Sequence, residues 1–210
     1  MSKQQMNGYY LNRRIKIMKK LLSILLAAIL ILSLAACTGA KNPGGNDTPG
    51  ESTVNSSLEL LTSVWSDYEE DDKFPAAGGD MSEENMSMEG PGKFGIEDAA
   101  MLDSTLGFPE ASVAKIDDAA SLVHMMNANT FTCGAFHVAN AADIDAVAAE
   151  VKDNIMNRQW ICGFPDKLVI VKVDGYIVSF FGASDIVDTF KTKLTSVYTT
   201  AETVCDEPIA

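Results

Sequence analysis

Residues 168–181, with the sequence LVIVKVDGYIVSFF, contain the strongest hairpin signal in the chain. Two apolar runs rich in Val, Ile and Phe flank Asp174-Gly175, and an Asp-Gly pair between such runs is a strong signal for a two-residue β-hairpin turn. That turn predicts the cross-strand pairs Val173 with Tyr176, Val171 with Val178, and Val169 with Phe180. Paired residues lie on one face of the hairpin, and this face is apolar throughout. We therefore expect it to pack against helices.

The other face of the hairpin has mixed character. We predict that it is partly open, and that five of its residues form a candidate interaction face for a partner: Ile170, Lys172, Ile177, Ser179 and Phe181.

A second hairpin and two helices are predicted around the first hairpin. Short apolar runs at 119–126 and 130–138 are separated by residues that suit a turn. One helix is predicted to begin after Asn140 and fade near Trp160, and the other begins at Ser184. The order strand, strand, helix, strand, strand, helix predicts an α+β domain at 94–200. Its antiparallel sheet would have about four strands, with helices packed on one face.

The segments that flank this domain have a different composition. Ser56-Ser57-Leu58-Glu59 is a capping-box sequence and predicts a short amphipathic helix at 56–68. Residues 69–93 form an acidic, low-complexity stretch that we interpret as a linker, because it has little apolar surface to bury. Residues 201–210 have the polar character of a tail.

The charge of the chain is unevenly distributed. The 210 residues include 16 basic and 29 acidic side chains, a net charge of −13. Six of the basic residues fall within residues 1–36, which contain no acid, so the remainder carries ten basic and 29 acidic residues, a net charge of −19. Nucleic acid is therefore excluded as a partner, because binding phosphates requires a basic surface.

The N-terminus has the organisation of a secretory signal peptide. A cationic start precedes an apolar run at 21–36, whose 16 residues are fewer than the roughly 20 that a membrane-spanning helix needs. An N-terminal membrane anchor helix is the weaker alternative, and either Met1 or Met18 serves as the start. The sequence Leu34-Ala-Ala-Cys37 then resembles the lipobox of bacterial lipoproteins.

This lipobox resemblance implies cleavage between Ala36 and Cys37 and a diacylglyceryl group on the Cys37 thiol. Residues 1–36 would be the signal peptide, and 37–55 a flexible Gly/Pro-rich tether. The lipid would anchor the exported protein in the membrane, at the outer face of the cytoplasmic membrane.

Two further motifs accompany the lipobox and the acidic segment: Met-Met-Asn at 125–127 and Val-x-Val-x-Gly-Tyr-x-Val at 171–178. Together they resemble a family of small lipoproteins of unknown function from Gram-positive gut and anaerobic bacteria. The resemblance covers roughly Phe94–Val197. It implies the fold and an exported, anchored location, and it carries over neither an activity nor catalytic residues.

Few residues in the sequence are candidates for a disulfide, a metal site or catalysis. Cys133 and Cys162 are candidates for a disulfide, with buried free thiols as the alternative, and Cys205 is expected to be exposed in the tail. His124 and His137 are expected at opposite ends of one hairpin, which disfavours a shared metal site. Nucleotide-binding, hydrolase and zinc-protease motifs are absent from the sequence, so no catalytic residue, metal or cofactor is predicted.

Three functions are consistent with these features. The leading hypothesis is a lipid-anchored, non-enzymatic binding module at the cell surface, with an unknown protein or small molecule as its partner. The alternative is a transport-accessory or small-ligand-binding lipoprotein. A cell-wall hydrolase that uses paired carboxylates is the third.

Overall fold

The computed structural model describes residues 54–80, 82–161 and 163–209. The predicted signal peptide, its cleavage site at Ala36 and Cys37, and nearly all of the predicted tether lie outside the described residues.

The described residues form four helices: α1 (Ser57–Ser66), α2 (Ala99–Leu106), α3 (Ile144–Met156) and α4 (Ser184–Val197). They also form seven strands: β1 (Ala76–Ala77), β2 (Gly92–Lys93), β3 (Ile116–His124), β4 (Phe131–Val138), β5 (Lys167–Val173), β6 (Tyr176–Gly182) and β7 (Glu202–Pro208).

The hairpin at 168–181 is present with the predicted register. β5 and β6 pair Val173 with Tyr176, and the pairing continues to Lys167 opposite Gly182. The turn residue Asp174 has φ 52°, a conformation that Asp tolerates better than most side chains. β3 and β4 form the second predicted hairpin, and β4 pairs with β6 to join the two hairpins into one sheet.

The sheet is antiparallel and larger than predicted. Its strand order is β1-β3-β4-β6-β5-β7, and β2 also pairs with β3. The expectation of helices with an antiparallel sheet is confirmed, whereas the expectation of about four strands is wrong. Three strands come from segments that we interpreted as linker and tail: β1 and β2 from the acidic stretch, and β7 from residues 201–210.

β7 was missed because its sequence is acidic. It lies at the edge of the sheet beside β5, where lysines neutralise its carboxylates. Lys172 contacts Glu202 at 3.1 Å, Lys152 contacts Glu207 at 2.5 Å, and both Lys167 and Lys191 contact Asp206 at 2.7 Å. These ion pairs allow a charged segment to serve as an edge strand.

Helices cover both faces of the sheet. One core cluster joins α1 and α4 to the apolar face of the hairpin, with Leu60, Val178, Phe180 and Phe190 fully buried. The second joins α2 and α3 to the opposite face, with Leu102, Phe136, Ile155 and Ile177 fully buried. The expectation that helices pack on one face is therefore wrong.

The candidate interaction face lies beneath α2 and α3. Ile170, Ile177, Ser179 and Phe181 are buried, and the half-buried Lys172 reaches Asp145 in the first turn of α3 at 2.7 Å. The mixed character of this face has a local cause, because Lys172 extends its charged end to the rim of the sheet while its neighbours are covered. The expectation of a partly open face is wrong.

The acidic stretch is folded. Residues 78–95, apart from 81, form a segment that we call the acidic flap, which includes β2 and lies along β3. The Gly79 N–H donates to Ser121 Oγ at 2.9 Å, and the Phe94 N–H donates to Ala119 O at 2.9 Å. Trp65 of α1 donates its indole N–H to Glu89 O at 3.1 Å. Interpreting 69–93 as a linker is wrong, because backbone contacts to β3 hold this segment despite its charge.

Candidate functional site

Two of the three cysteines after Cys37 lie in the described residues, and both are buried. Cys133 on β4 and Cys205 on β7 belong to core clusters on opposite faces of the sheet. Burial raises the pKa of both thiols, so they act as small apolar core residues rather than nucleophiles. The expectation that Cys205 is exposed is wrong because residues 202–208 form a strand. Cys162, the predicted partner of Cys133, lies outside the described residues.

The two histidines are far apart along one hairpin, as expected. His124 ends β3 and stacks on Phe74, with 5.6 Å between ring centroids. His137 lies near the other end of β4, where its Nδ1 pairs with Asp117 and its ring packs against Tyr176. In the ranges that the structure describes, no group of three or more His, Cys, Asp or Glu side chains is placed to hold a metal ion.

A polar cleft of about 810 Å³ lies between α2, the 3₁₀ turn at Glu110–Lys115 and α3. Lys115 Nζ contacts Glu150 Oε1 at 2.7 Å, and the Ser112 hydroxyl donates to Glu150 Oε2 at 2.5 Å. Arg158 donates to the carbonyls of Asp103 and Ser104 at the end of α2. The cleft thus contains both positively and negatively charged side chains. Several of them form ion pairs with each other or hydrogen bonds with backbone carbonyls.

The electrostatics of Glu150 do not suit general-acid catalysis. Hydrogen bonds from Lys115 and then Ser112 lower the pKa of its carboxyl group. A general acid near neutral pH needs a carboxyl group whose pKa is raised instead. Glu150 therefore acts as a fixed anion that orders the wall of the cleft.

A second candidate site lies at one end of the sheet. It consists of the β3–β4 loop and its flanking residues, 124–131, and the segment between α3 and β5, residues 159–165 apart from 162. We call these two loops the loop tip. Four large apolar side chains project from it: Met125 is 44%, Met126 78%, Ile161 79% and Phe164 74% exposed.

Hydrogen bonds brace the loop tip. Asn129 Nδ2 donates to Ile161 O at 3.3 Å and to Gly163 O at 3.1 Å, which joins the two loops. The Met125 N–H donates to Pro75 O at 2.8 Å, and Trp160 packs against the buried Phe181 with 5.2 Å between ring centroids. The apolar side chains are therefore displayed from loops that are attached to the sheet.

Reasoning from the sequence missed the loop tip. Residues 119–126 were expected to be one strand, and β3 instead ends at His124, which leaves Met125 and Met126 in the loop. A signal was available in the sequence, because neither 124–131 nor 159–165 contains Asp, Glu, Lys or Arg. In so acidic a chain, a loop without charged residues indicates a surface that contacts something other than water.

Within the ranges described, no helix combines the length and the apolar character that crossing a membrane requires. Comparison of the chain with protein-family models, with curated proteins and with solved structures finds no match.

Proposed function

We propose that the chain is a lipid-anchored extracytoplasmic protein and that its folded domain is a non-enzymatic binding module. The observation that carries the binding role is the loop tip, where two loops joined by Asn129 expose four large apolar side chains to solvent. Single exposed apolar residues are common on protein surfaces, but a cluster of them marks an interaction surface.

The anchoring half of the proposal is supported by the sequence. A cationic start, an apolar run of 16 residues and the lipobox-like Leu34-Ala-Ala-Cys37 follow one another in the order that lipoprotein export requires. The resemblance to a family of small Gram-positive lipoproteins points the same way. Two long acyl chains on Cys37 would bind the membrane durably, because each buried methylene contributes about 0.8 kcal/mol.

The experiment for the anchor is the substitution Cys37→Ser in the full-length chain. The parent protein is expected in the membrane fraction, with the mass of a diacylglyceryl group on residue 37. The variant is expected to lose that mass and to leave the membrane fraction. Thr38→Ala is the matched control, since it changes the next residue and retains the thiol. A processed Cys37→Ser chain that sediments with membranes as completely as the parent would contradict the anchor.

A small-ligand-binding or transport-accessory lipoprotein is the second candidate function, and the polar cleft favours it. A cleft with fixed charges of both signs suits a small zwitterionic or polar solute. A thermal-shift panel of amino acids, short peptides and cell-wall fragments tests it. A ligand at about 100 times its Kd should stabilise the fold by roughly 2.7 kcal/mol, and Asp153→Ala in the cleft wall should weaken the effect. A panel with no response would count against this candidate.

A cell-wall hydrolase is the remaining alternative. The same cell-wall fragments, followed by mass spectrometry, test it through the appearance of cleaved products. The lowered pKa of Glu150 does not favour this role.

A further inference from the structure

We infer that the loop tip inserts its apolar side chains into the outer leaflet of the bilayer that carries the Cys37 lipid. This inference rests on the proposed anchoring at Cys37 and names the partner of the binding module. The contact would be interfacial, with side chains at the boundary between headgroups and acyl chains. The backbone of the loops stays hydrated, because unpaired backbone groups do not enter the hydrocarbon core.

The first argument is charge. Moving a charged side chain to the centre of a bilayer costs about 2.5–3.5 kcal/mol, and the chain carries 29 acidic residues. Neither 124–131 nor 159–165 contains one, or any Lys or Arg. The acidic flap shows the contrast, since its exposed methionines stand among Glu83, Glu84 and Glu89. The side chains of the loop tip can therefore meet an apolar medium without being charged themselves, and the Arg158 guanidinium, 5.5 Å from the Trp160 ring, is the charge at its margin.

The second argument is geometry. Asn129 joins the two loops through Ile161 O and Gly163 O, so the apolar side chains of both would enter a bilayer together. Ile161 and Phe164 are 79% and 74% exposed. Side chains that project so far from loop ends suit a fluid medium that closes around them. In a flat protein–protein interface, these side chains would instead have to pack closely against the surface of the partner protein.

The third argument is reach. The described chain begins at the other end of the sheet, where the Ser57 N–H donates to Asp118 Oδ2 at 2.6 Å. Asp118 pairs with His137, and His137 with Tyr176 beside the Asp174-Gly175 turn. β3, with nine residues, is about 30 Å long. The 17 steps from Cys37 to Val54 span at most about 61 Å, which is enough for the loop tip to face the membrane.

The anchor also makes a weak contact sufficient. Once Cys37 is fixed in the bilayer, insertion of the loop tip is an intramolecular step with a high effective concentration. A contact with a second copy of this chain or another protein would still require that protein to diffuse to the same place in the membrane. The membrane is therefore the occupant that the observations favour.

The experiment measures quenching of tryptophan fluorescence by brominated acyl chains. The mature lipidated protein is reconstituted in phosphatidylcholine vesicles with brominated chains, after mass spectrometry has verified the lipid. Phe164→Trp places the probe in the loop tip, and Met88→Trp places a matched probe in the acidic flap. Both parent side chains are more than half exposed, so both variants should retain the parent melting temperature. We expect quenching at position 164, relative to the parent chain, to exceed that at 88 several-fold.

The same experiment has outcomes that overturn the inference. Equal quenching at both positions, or none at either, would show that the loop tip does not enter the bilayer. A dimer in analytical ultracentrifugation with no quenching at 164 would assign the tip to a second copy instead. A chain with a bare thiol on residue 37 would contradict the anchor itself, which separates failure of the proposed function from failure of the inference.

An anchor-free measurement provides a second check. At vesicle concentrations high enough to detect weak partitioning, the pair Ile161→Ser and Phe164→Ser in the processed chain with Cys37→Ser should reduce co-sedimentation with the same vesicles about tenfold. The pair Met86→Ser and Met88→Ser should leave it unchanged. An equal effect of the two pairs would contradict insertion through the loop tip.

Discussion

The acidic flap and the loop tip are both irregular segments beside β3, and each exposes two methionines. Met86 and Met88 project from the flap, and Met125 and Met126 from the tip. The flap is dense in carboxylates and nevertheless fixed to the sheet edge, whereas the tip has no charge and still remains in solvent. Composition alone would assign the flap to solvent and the tip to the core. The contrast shows that hydrogen bonding and close backbone contact decide which segment packs.

Asp80 explains how the flap is held. Its carboxylate accepts hydrogen bonds from the Ser82 N–H and hydroxyl, from Asn85 Nδ2 and from the Gly95 N–H. One ionised group therefore orders both arms of the flap. In the loop tip, the link between the two loops comes from the Asn129 amide, which is a neutral donor.

The largest difference in the free energy of unfolding is expected between substitutions of two phenylalanines. Phe94, at the end of the flap, is buried in the cluster beneath α2, whereas Phe164 lies in the loop tip. Phe94→Ala should lower the free energy of unfolding by about 4 kcal/mol through the cavity it leaves. Phe164→Ala should change it by less than about 0.5 kcal/mol. Urea denaturation measures both, and similar losses in the two variants would remove the distinction between the regions.

The next effect comes from the close approach of the flap to β3. A Cβ on Gly78 would lie 2.3 Å from Gly92 N and 2.4 Å from Ser121 O, both backbone atoms that have little freedom to move. Gly78→Ala should therefore destabilise the domain by about 3 kcal/mol and accelerate hydrogen exchange across the flap. The adjacent Ala77→Ser is the control. If Gly78→Ala matched the parent midpoint, the flap would not be tightly docked.

Asp80 should make the flap sensitive to acid. Burial raises the pKa of Asp80, but hydrogen bonds from Ser82, Asn85 and Gly95 outweigh it and lower the pKa from 3.8 to about 2. A carboxyl group whose pKa is lowered in the folded state stabilises the fold above pH 3.8, and this stabilisation is lost as the pH falls towards 2. Because Asp80 is partly exposed, we expect a contribution of about 1 kcal/mol.

The substitution Asp80→Ala should cost about 2 kcal/mol at neutral pH, since several donors lose a charged acceptor. It should also flatten the dependence of the urea midpoint on pH between 4 and 2. Glu84→Gln, at an exposed position of the flap, is the control and should retain the parent profile. An unchanged acid profile in Asp80→Ala would show that Asp80 is not the ordering group.

The smallest effect on stability is expected at Asn129, which joins the two loops of the loop tip. Asn129→Ala removes two donated hydrogen bonds at an exposed site and should lower stability by only about 0.5 kcal/mol. Hydrogen exchange at residues 159–165 should become several-fold faster, while exchange in the flap stays as in the parent. Unchanged exchange at 159–165 would mean that the two loops are held independently of Asn129.

Much of the domain could be predicted from local signals. The register of β5 and β6 follows from the Asp-Gly turn, and α3 and α4 follow from helical spacing of apolar residues after a polar start. β7 had no such signal, because its charges are stabilised by lysines 15 to 55 residues away along the chain. The loop tip could have been found in part, through its lack of charge.

Sequence patterns were enough to predict the features whose causes are local: the two long hairpins, the helices with their apolar faces, and the motif at Cys37 that predicts an anchor. Long-range packing places helices on both faces of the sheet, docks the acidic stretch on β3, and joins the loop of Met125 and Met126 to the loop of Ile161 and Phe164. The physical reason is the sequence distance between the partners. Gly79 meets Ser121 across 42 residues and Ser57 meets Asp118 across 61, contacts that no local pattern records.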